Sequence, residues 1–413
     1  MTMRNGHRII LTLISSGALL AACSTSRTES PPDTVSVTTT SNPITTTTQP
    51  EGLRAFATQL QNAVTTDLER DPQLRAEIVQ IRVRGNNLSA AAGIGDPQTG
   101  TPINPSASFR IASVTKTFVA AATLKLIEVD RFGVDDSIEP LIPTSLNEAL
   151  TRGGYQPRII TVRQLLTHTS GIVDFTFGPG LDYVGQVMAD PQRVWTRQDQ
   201  VDLAMLGEPV APPGTTYHYS DTGYALLGAI IEQATGDDLG ASLRSLLDYE
   251  GLGLNHTYLE LIEPAPEGQS PRAHQFFGEL DTFDWSPTID LFGGGGLVST
   301  LDDLLNFFTA LHEGNVFSSE SSLELMHAIP ETNTDVRVPG DPTPYAAGAG
   351  IFRSDLNGVT CWSHEGFWGV RVGYCPELDS GFALSISQAT RSVEYNPELV
   401  GTVIAEAMTT RSR

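Results

Sequence analysis

The stretch Phe109-Arg110-Ile111-Ala112-Ser113-Val114-Thr115-Lys116-Thr117-Phe118 lies at the start of the part of the chain that is predicted to be mainly helical. Ser113 and Lys116 are three residues apart, a spacing that puts two side chains on one face of a helix, one turn from each other. A serine hydroxyl is a weak nucleophile until a base takes its proton, and a buried lysine can be that base. The apolar neighbours of the pair favour such burial. The stretch therefore predicts a nucleophile at Ser113 that Lys116 activates.

Lysine is rare in this chain, which makes Lys116 informative. The sequence contains 25 lysines and arginines, of which only Lys116 and Lys125 are lysines. Lys125 follows nine positions later, about half a turn round the helix from Lys116, so we expect its side chain in solvent. The alternative is an ordinary helix start that carries a surface lysine. The pair by itself leaves that alternative open.

Both ends of the chain carry strand patterns, and the region between them is mainly helical. Apolar residues at helical spacing predict a helix from Glu51, and alternating residues predict a strand over 79–83 with a partner near 88–92. Further short strands are predicted at 351–352, 359–365, 370–374 and 382–386. A last helix is predicted from its cap at Asn396 and from Pro397 in its first turn.

These elements predict an α+β fold for one hydrolase domain over residues 51–413. Its antiparallel β-sheet combines strands from both ends of the chain, and N- and C-terminal helices flank that sheet. A mainly helical region at about 117–275 is inserted between the two sets of strands. The length and the 40% of hydrophobic residues are sufficient for a large core.

The N-terminal 50 residues have a different composition. Residues 1–22 contain two arginines, an apolar run and small residues before Cys23, an arrangement typical of a lipoprotein signal peptide. It predicts cleavage before Cys23, a lipid anchor on its sulfur, and a location outside the cytoplasm on the bacterial cell membrane. Residues 23–50, rich in Thr, Ser and Pro, form the predicted tether. The alternative is a secretory signal followed by an incidental cysteine.

The remaining cysteines, Cys361 and Cys375, favour a disulfide in an exported protein. A chain reversal near Trp368 places the two residues opposite each other in antiparallel register, and two free thiols are the alternative. Neither has partners at metal-ligand spacing, so no metal site is predicted. The net charge of -23 opposes binding to nucleic acid, because phosphate would be repelled.

Two further elements can complete a site around Ser113. Tyr219-Ser220-Asp221 precedes a helical segment, and the Tyr219 phenol can relay protons. His364-Glu365-Gly366 ends a predicted strand, where glycine permits close approach of a substrate and backbone amides can bind an oxyanion. Glu365 points away from His364 if the strand is regular, so we expect it to face solvent.

Ser113 to Lys116, Tyr219 to Asp221 and His364 to Gly366 resemble the SxxK, YxN and HxG motifs of the penicillin-recognising serine hydrolases. More narrowly, the chain is similar to the branch of class C β-lactamases and D-alanyl-D-alanine carboxypeptidases. The resemblance extends over most of residues 55–410. It is supported by Leu165 to Gly171, Gly294 to Thr300 and His364 to Gly369.

The resemblance implies an acyl-enzyme mechanism without a metal or organic cofactor. Ser113 attacks a carbonyl carbon, Lys116 and Tyr219 move the protons, and the backbone amides of Ser113 and Phe367 hold the oxyanion. His364 takes the position of a lysine in β-lactamases, near the substrate's carboxylate or leaving group. The implied substrate is a cell-wall D-amino peptide or a carboxylic ester. The alternative is a penicillin- or peptidoglycan-binding lipoprotein that does not turn over.

Asp221 departs from the family pattern, which commonly has asparagine there. An asparagine amide can donate a hydrogen bond to a substrate carbonyl, whereas an ionised carboxylate only accepts. The negative charge also favours a protonated Lys116 and shifts proton transfer toward Tyr219. We therefore expect weak turnover of β-lactams. The oligomeric state is not predicted.

Overall fold

The structure is a computed structural model that describes residues 51–269, 271–337, 344–356, 358–389 and 398–409. The predicted signal peptide, Cys23 and the tether lie outside these residues, as do the predicted helix-capping Asn396 and Pro397.

The described residues form eleven α-helices and fourteen strands. The helices are α1 Glu51–Arg70, α2 Thr115–Glu128, α3 Thr144–Arg152, α4 Val162–Leu166, α5 Tyr183–Ala189, α6 Arg197–Ala204, α7 Asp221–Thr235, α8 Leu239–Leu246, α9 Leu301–His312, α10 Glu320–His327 and α11 Glu398–Thr409. The strands are β1 Ala76–Val83, β2 Asn86–Asp96, β3 Thr101–Pro102, β4 Phe109–Arg110, β5 Tyr258–Leu259, β6 Phe276–Phe277, β7 Leu280–Asp281, β8 Leu297–Ser299, β9 Val336–Arg337, β10 Pro344–Ala347, β11 Phe352–Leu356, β12 Val359–Gly366, β13 Val370–Cys375 and β14 Ser380–Ile386.

A nine-stranded antiparallel sheet combines both ends of the chain, in the order β3-β2-β1-β14-β13-β12-β11-β10-β9. The junction between the two ends is the pairing of β1 with β14, in which Val79 lies opposite Leu384. The predicted α+β class, with one antiparallel sheet built from both ends, is confirmed.

The two terminal helices cover the outer face of this sheet. Leu60 and Val64 of α1 pack with Val400 of α11 and with Val79 and Ile81 of β1 in one apolar cluster. Helical spacing in α1 and alternation in β1 put these residues on facing surfaces. The terminal helices therefore stabilise the sheet from the side away from the nucleophile.

Helix α9 covers the opposite face, so that β1 is buried on both sides. Gln80, one of the polar residues that alternate with the apolar ones in β1, is only 4% exposed. Its amide donates to the carboxylate of Asp302 on α9 at 2.5 Å. Alternation of polar and apolar residues here indicates two different buried surfaces rather than one buried and one solvated surface.

A small sheet of order β4-β8-β5 leads the chain to the nucleophile. Phe109 and Arg110 pair with Ser299 and Val298, and the next residue, Ile111, donates its amide hydrogen to the Leu297 carbonyl at 3.0 Å. The chain then enters α2, which lies among α7, α8 and α10. Of the helices the structure describes, none is both long and apolar enough to cross a membrane.

Candidate active site

Ser113 lies in a single 3-10 turn, Ala112–Val114, that continues directly into α2. The Val114 amide closes the turn by donating to the Ile111 carbonyl at 3.1 Å. Ala112 has a φ of 43°, a conformation that is rare for a residue with a side chain. Strain of this kind persists only where the surrounding structure fixes it, and it is concentrated at functional sites. The turn holds Ser113 half-buried beside the start of the helix.

Lys116 lies on the same face of α2 and is fully buried. Its Nζ donates to Ser113 Oγ at 3.0 Å and to the Gly294 carbonyl at 2.6 Å. The ammonium also forms an ion pair with Asp221. Lys125 instead pairs with Glu128 on a partly exposed face of α2. The two lysines thus occupy different environments, and Lys116 contacts the hydroxyl of Ser113.

Tyr219 lies in the loop before α7, with its ring centroid 4.9 Å from Lys116 Nζ. His168 stacks on that ring at 4.4 Å and accepts a hydrogen bond at Nδ1 from the Ser220 amide at 3.1 Å. Burial and the positive charge of Lys116 lower the pKa of His168 well below its usual value. A neutral imidazole therefore packs against the ring of Tyr219 and holds it in place. The contact between His168 and Tyr219 was not predicted from the sequence.

Asp221 begins α7 and is held by contacts at both carboxylate oxygens. One oxygen pairs with Lys116, and Oδ2 accepts from Thr176 Oγ1 at 3.0 Å. The Asp221 amide donates to Asp174 Oδ1 at 3.1 Å, which places a second carboxyl group beside the first. Burial and the charge of Asp221 raise the pKa of Asp174 to about 7. Two acids therefore share the surroundings of one lysine.

His364 is buried near the end of β12, and its Nδ1 lies 2.7 Å from the Glu365 carbonyl oxygen. Burial and the charge of Lys116 lower the pKa of His364 to about 3, so its ring is neutral at physiological pH. The expectation that Glu365 faces solvent is wrong. The Tyr345 hydroxyl donates to Glu365 at 2.5 Å from β10, two strands away, and Arg371 on the neighbouring strand β13 forms an ion pair with it at 3.4 Å.

Gly366 brings the end of β12 against the chain that leads to the nucleophile. A Cβ at this position would lie 2.2 Å from the Ile111 carbonyl oxygen, which excludes any side chain. Phe367 follows in the turn between β12 and β13, with its ring against the apolar cluster that includes Ala112. The sheet and the nucleophile turn are thus in direct contact.

A disulfide joins Cys361 of β12 to Cys375 of β13. The register that pairs Trp362 with Tyr374 puts the two cysteines opposite each other, with Cα atoms 4.2 Å apart. The disulfide lies at the end of this hairpin that is remote from Phe367. Among the residues that the structure describes, no group of three His, Cys, Asp or Glu side chains could hold a metal ion.

Three features of the site were not predicted from the sequence. They are the carboxyl groups of Asp174 and Asp290 and the carbonyl of Gly294. Asp290 lies against Gly295, where a Cβ would be 2.6 Å from its Oδ2, and burial raises the pKa of Asp290 to about 6. Two patterns could have indicated the acids: Asp174 closely follows the motif Leu165 to Gly171, and Asp290 closely precedes a run of four glycines.

The family model described as Beta-lactamase matches residues 62–403 of this chain. The chain belongs to the Beta-lactamase family. The resemblance inferred from the motifs is therefore confirmed, and Ser113, Lys116 and Tyr219 all fall within the matched residues of this family member.

Proteins similar to this chain include a penicillin-binding protein, an esterase and an amidohydrolase. Penicillin-binding protein 4* of Bacillus subtilis is 26% identical over 65% of this chain and 57% of its own length. Esterase EstB of Burkholderia gladioli is 27% identical over 56% of this chain and 64% of its own length. The chain thus spans less than two thirds of either relative. A solved structure of a D-stereospecific amidohydrolase from a Streptomyces species is 26% identical, with a TM-score of 0.67, covering 86% of this chain and 98% of that one.

Proposed function

We propose that this Beta-lactamase family member is a serine hydrolase that cleaves amide or ester bonds through an acyl-enzyme on Ser113. The observation that carries the proposal is the 3.0 Å contact between Ser113 Oγ and the Nζ of a fully buried lysine. Burial of a lysine is costly and needs compensation. Here the compensation is a carbonyl, a carboxylate and the nucleophile itself.

In the acylation step, Ser113 Oγ bonds to the substrate carbonyl carbon and its proton passes to the oxygen of a deprotonated Tyr219. The Lys116 ammonium pairs with Asp221 and lies 4.9 Å from the ring centroid of Tyr219, where its charge favours the phenolate. The carbonyl oxygen becomes an oxyanion between the backbone amides of Ser113 and Phe367. Collapse of this intermediate breaks the bond to the amine or alcohol, which leaves with the proton from Tyr219.

Deacylation repeats the sequence with water. Tyr219 takes a proton from the water, the resulting hydroxide bonds to the ester carbon, and the bond to Ser113 Oγ breaks. Ser113 regains its proton and the acid product departs. His364 contributes a hydrogen bond rather than a charge to this cycle, because its imidazole is neutral. It thereby differs from the lysine expected at this position in β-lactamases.

The proposed substrates are D-amino peptides or amides and carboxylic esters. This choice is supported by the names of an amidohydrolase with the same fold and of an esterase relative. The family also includes penicillin-binding proteins, as the Bacillus relative is named, so covalent binding without turnover is the second candidate.

A substrate panel separates these candidates. Nitrophenyl esters, D-alanyl-D-alanine peptides, p-nitroanilides of D-amino acids and a chromogenic cephalosporin are incubated with the enzyme and with Ser113→Ala. We expect steady release of many equivalents of product from at least one ester or D-amino substrate, and none above background from the variant. One equivalent of product per enzyme would indicate a binding protein. Full activity in Ser113→Ala would refute the assignment of the nucleophile.

We also propose that the protein is a lipoprotein anchored to the membrane through Cys23. The support is the order of basic, apolar and small residues before that cysteine. Expression in a bacterial host with labelled palmitate should yield a labelled, membrane-associated protein. Cys23→Ser should remove both the label and the membrane association. An unlabelled wild-type protein in the medium would contradict the anchor.

A further inference from the structure

Three phenylalanines from distant parts of the chain meet beside the nucleophile. Phe367 follows β12, Phe277 ends β6, and Phe177 lies in the loop before α5. The ring centroid of Phe367 is 5.9 Å from that of Phe277 and 6.4 Å from that of Phe177. We refer to these three residues as the phenylalanine cluster.

The cluster adjoins Ser113 through the backbone. Phe277 and Phe367 pack against an apolar group that contains Ala112, the residue before the nucleophile. Phe367 also follows Gly366, which is in close contact with the carbonyl of Ile111. The cluster therefore adjoins, through Gly366, the two residues that precede the nucleophile.

The loop of Phe177, the third member, is hydrogen-bonded to Asp221, which pairs with Lys116. The Phe177 amide donates to Asp174 Oδ2 at 3.1 Å, and the adjacent Thr176 hydroxyl donates to Asp221 at 3.0 Å. Asp221 in turn pairs with Lys116. The loop that carries Phe177 is thus fixed to the same groups that hold the ammonium.

The aromatic surface of the cluster is partly open, unlike that of its neighbours. Phe177 is 40% exposed and Phe277 and Phe367 are half-buried, whereas Phe175 and Trp368 are each 2% exposed. Exposed aromatic carbon gains free energy when an apolar group covers it. The loop of Phe177 is hydrogen-bonded to the carboxyl groups of Asp174 and Asp221, and their negative charge disfavours an acidic ligand.

We propose that the phenylalanine cluster is the subsite for the side chain on the acyl side of the scissile bond, and that this side chain is aromatic or large and aliphatic. The inference rests on the proposed function. It specifies a hydrophobic D-amino acid derivative rather than an alanyl or acidic one. Gly366, the residue before Phe367, approaches Ala112, where a Cβ on the glycine would lie 3.4 Å from the Ala112 Cβ, and this puts the cluster near the carbonyl that Ser113 attacks.

Three substrates that differ only in the side chain test the inference: the p-nitroanilides of D-phenylalanine, D-alanine and D-glutamate. We expect wild-type kcat/KM for D-phenylalanine to exceed that for D-alanine by about 10-fold or more, with D-glutamate lowest. Phe177→Ala should lower the ratio of phenylalanine to alanine by about 10-fold. Phe277→Ala should lower it in the same direction and provides a second position.

Leu206→Ala is the matched control, because Leu206 is 77% exposed and lies outside the cluster. It should leave the ratio unchanged. A wild type that prefers D-alanine or D-glutamate, or a ratio that both phenylalanine variants leave unchanged, would refute the subsite while the hydrolase proposal stands. Absence of turnover of every ester, peptide and anilide would instead refute the proposed function, and the subsite with it.

Discussion

Two buried ion pairs lie on either side of the nucleophile, and they are built differently. Arg110, three residues before Ser113, is 3% exposed and binds Glu260 through two nitrogens at 2.6 and 3.3 Å. Its other donors reach the carbonyls of Thr282 at 3.2 Å and Trp285 at 2.8 Å. The planar guanidinium donates to the carboxylate and to both carbonyls at once. The pair therefore fixes the position of the chain that leads to Ser113.

Lys116, three residues after Ser113, has a less balanced set of neighbours. One ammonium faces Asp221, while Asp174 and Asp290 stand nearby with raised pKa values. Its hydrogen bonds include the nucleophile itself. A structural pair therefore satisfies its own donors, whereas a reactive pair shares its charge with a group that must change protonation.

The largest expected effect comes from exchanging the type of cation in the reactive pair. Lys116→Arg keeps the charge, but its planar fork cannot reproduce the point contact of an ammonium with Ser113 Oγ. We expect both Lys116→Arg and Lys116→Ala to lower kcat/KM by about 1000-fold or more on a nitrophenyl ester. The folded fraction is checked by circular dichroism. A Lys116→Arg variant with more than a tenth of wild-type activity would erase the distinction between the two pairs.

The structural pair should respond in stability instead. Arg110→Ala removes both short contacts to the Glu260 carboxylate and leaves it only the ion pair with Arg272 at 3.4 Å, so we expect the free energy of unfolding to fall by about 3 kcal/mol. Urea denaturation measures this loss. Arg152 pairs with Asp202 at 3.0 Å with both side chains well exposed, and Arg152→Ala should cost about 0.5 kcal/mol or less. Equal losses in the two variants would show that Arg110 has no special structural role.

Local patterns predicted the large sheet because its long strands and flanking helices bury apolar residues at regular spacing. The strands of two residues, such as β4 and β5, were not predicted. They are too short for a periodic pattern, and they exist because β8 lies between them. Tertiary contacts, rather than propensity, determine such strands.

In the candidate site, too, contacts between residues close in sequence were predictable, and contacts between distant residues were not. Ser113 and Lys116 are neighbours on one helix, so their spacing alone indicated the contact. Arg110 and Glu260 are 150 residues apart, and no local pattern links them. Asp174 likewise meets Asp221 only through the fold. Sequence motifs thus identified the reactive pair, and the structure was needed to find the groups that pin it.

Asp221→Asn tests how the reactive pair selects its substrate. An asparagine amide can donate a hydrogen bond to the side-chain carbonyl of a cephalosporin, whereas the carboxylate cannot. We expect the rate for a chromogenic cephalosporin, relative to that for a nitrophenyl ester, to rise about 10-fold. Asp221→Ala removes the charge without adding a donor and should show no such rise. Efficient cephalosporin hydrolysis by the wild type that Asp221→Asn leaves unchanged would be evidence against this role of the carboxylate.

The smallest expected effect is a pH dependence of stability, which Asp174 gives to the surroundings of the reactive pair and which the structural pair lacks. The pKa of Asp174 is raised in the folded protein from its usual 3.8 to about 7, by burial and by the charge of Asp221. The folded state therefore holds the Asp174 proton more tightly than the unfolded chain does. Its contribution to stability is full below about pH 3.8 and is lost as the pH rises through about 7.

Asp174→Asn removes this titration while keeping the shape of the side chain. Urea denaturation at pH 5, 6, 7 and 8 should therefore show a smaller loss of stability with rising pH in the variant than in the wild type. Asp135→Asn is the control. The hydrogen bond from Arg163 lowers the pKa of Asp135, so this carboxyl group is ionised throughout pH 5 to 8. If the free energy of unfolding changes equally with pH in wild type and Asp174→Asn, Asp174 is already ionised at pH 5. Its negative charge is then present beside the reactive pair over the whole range.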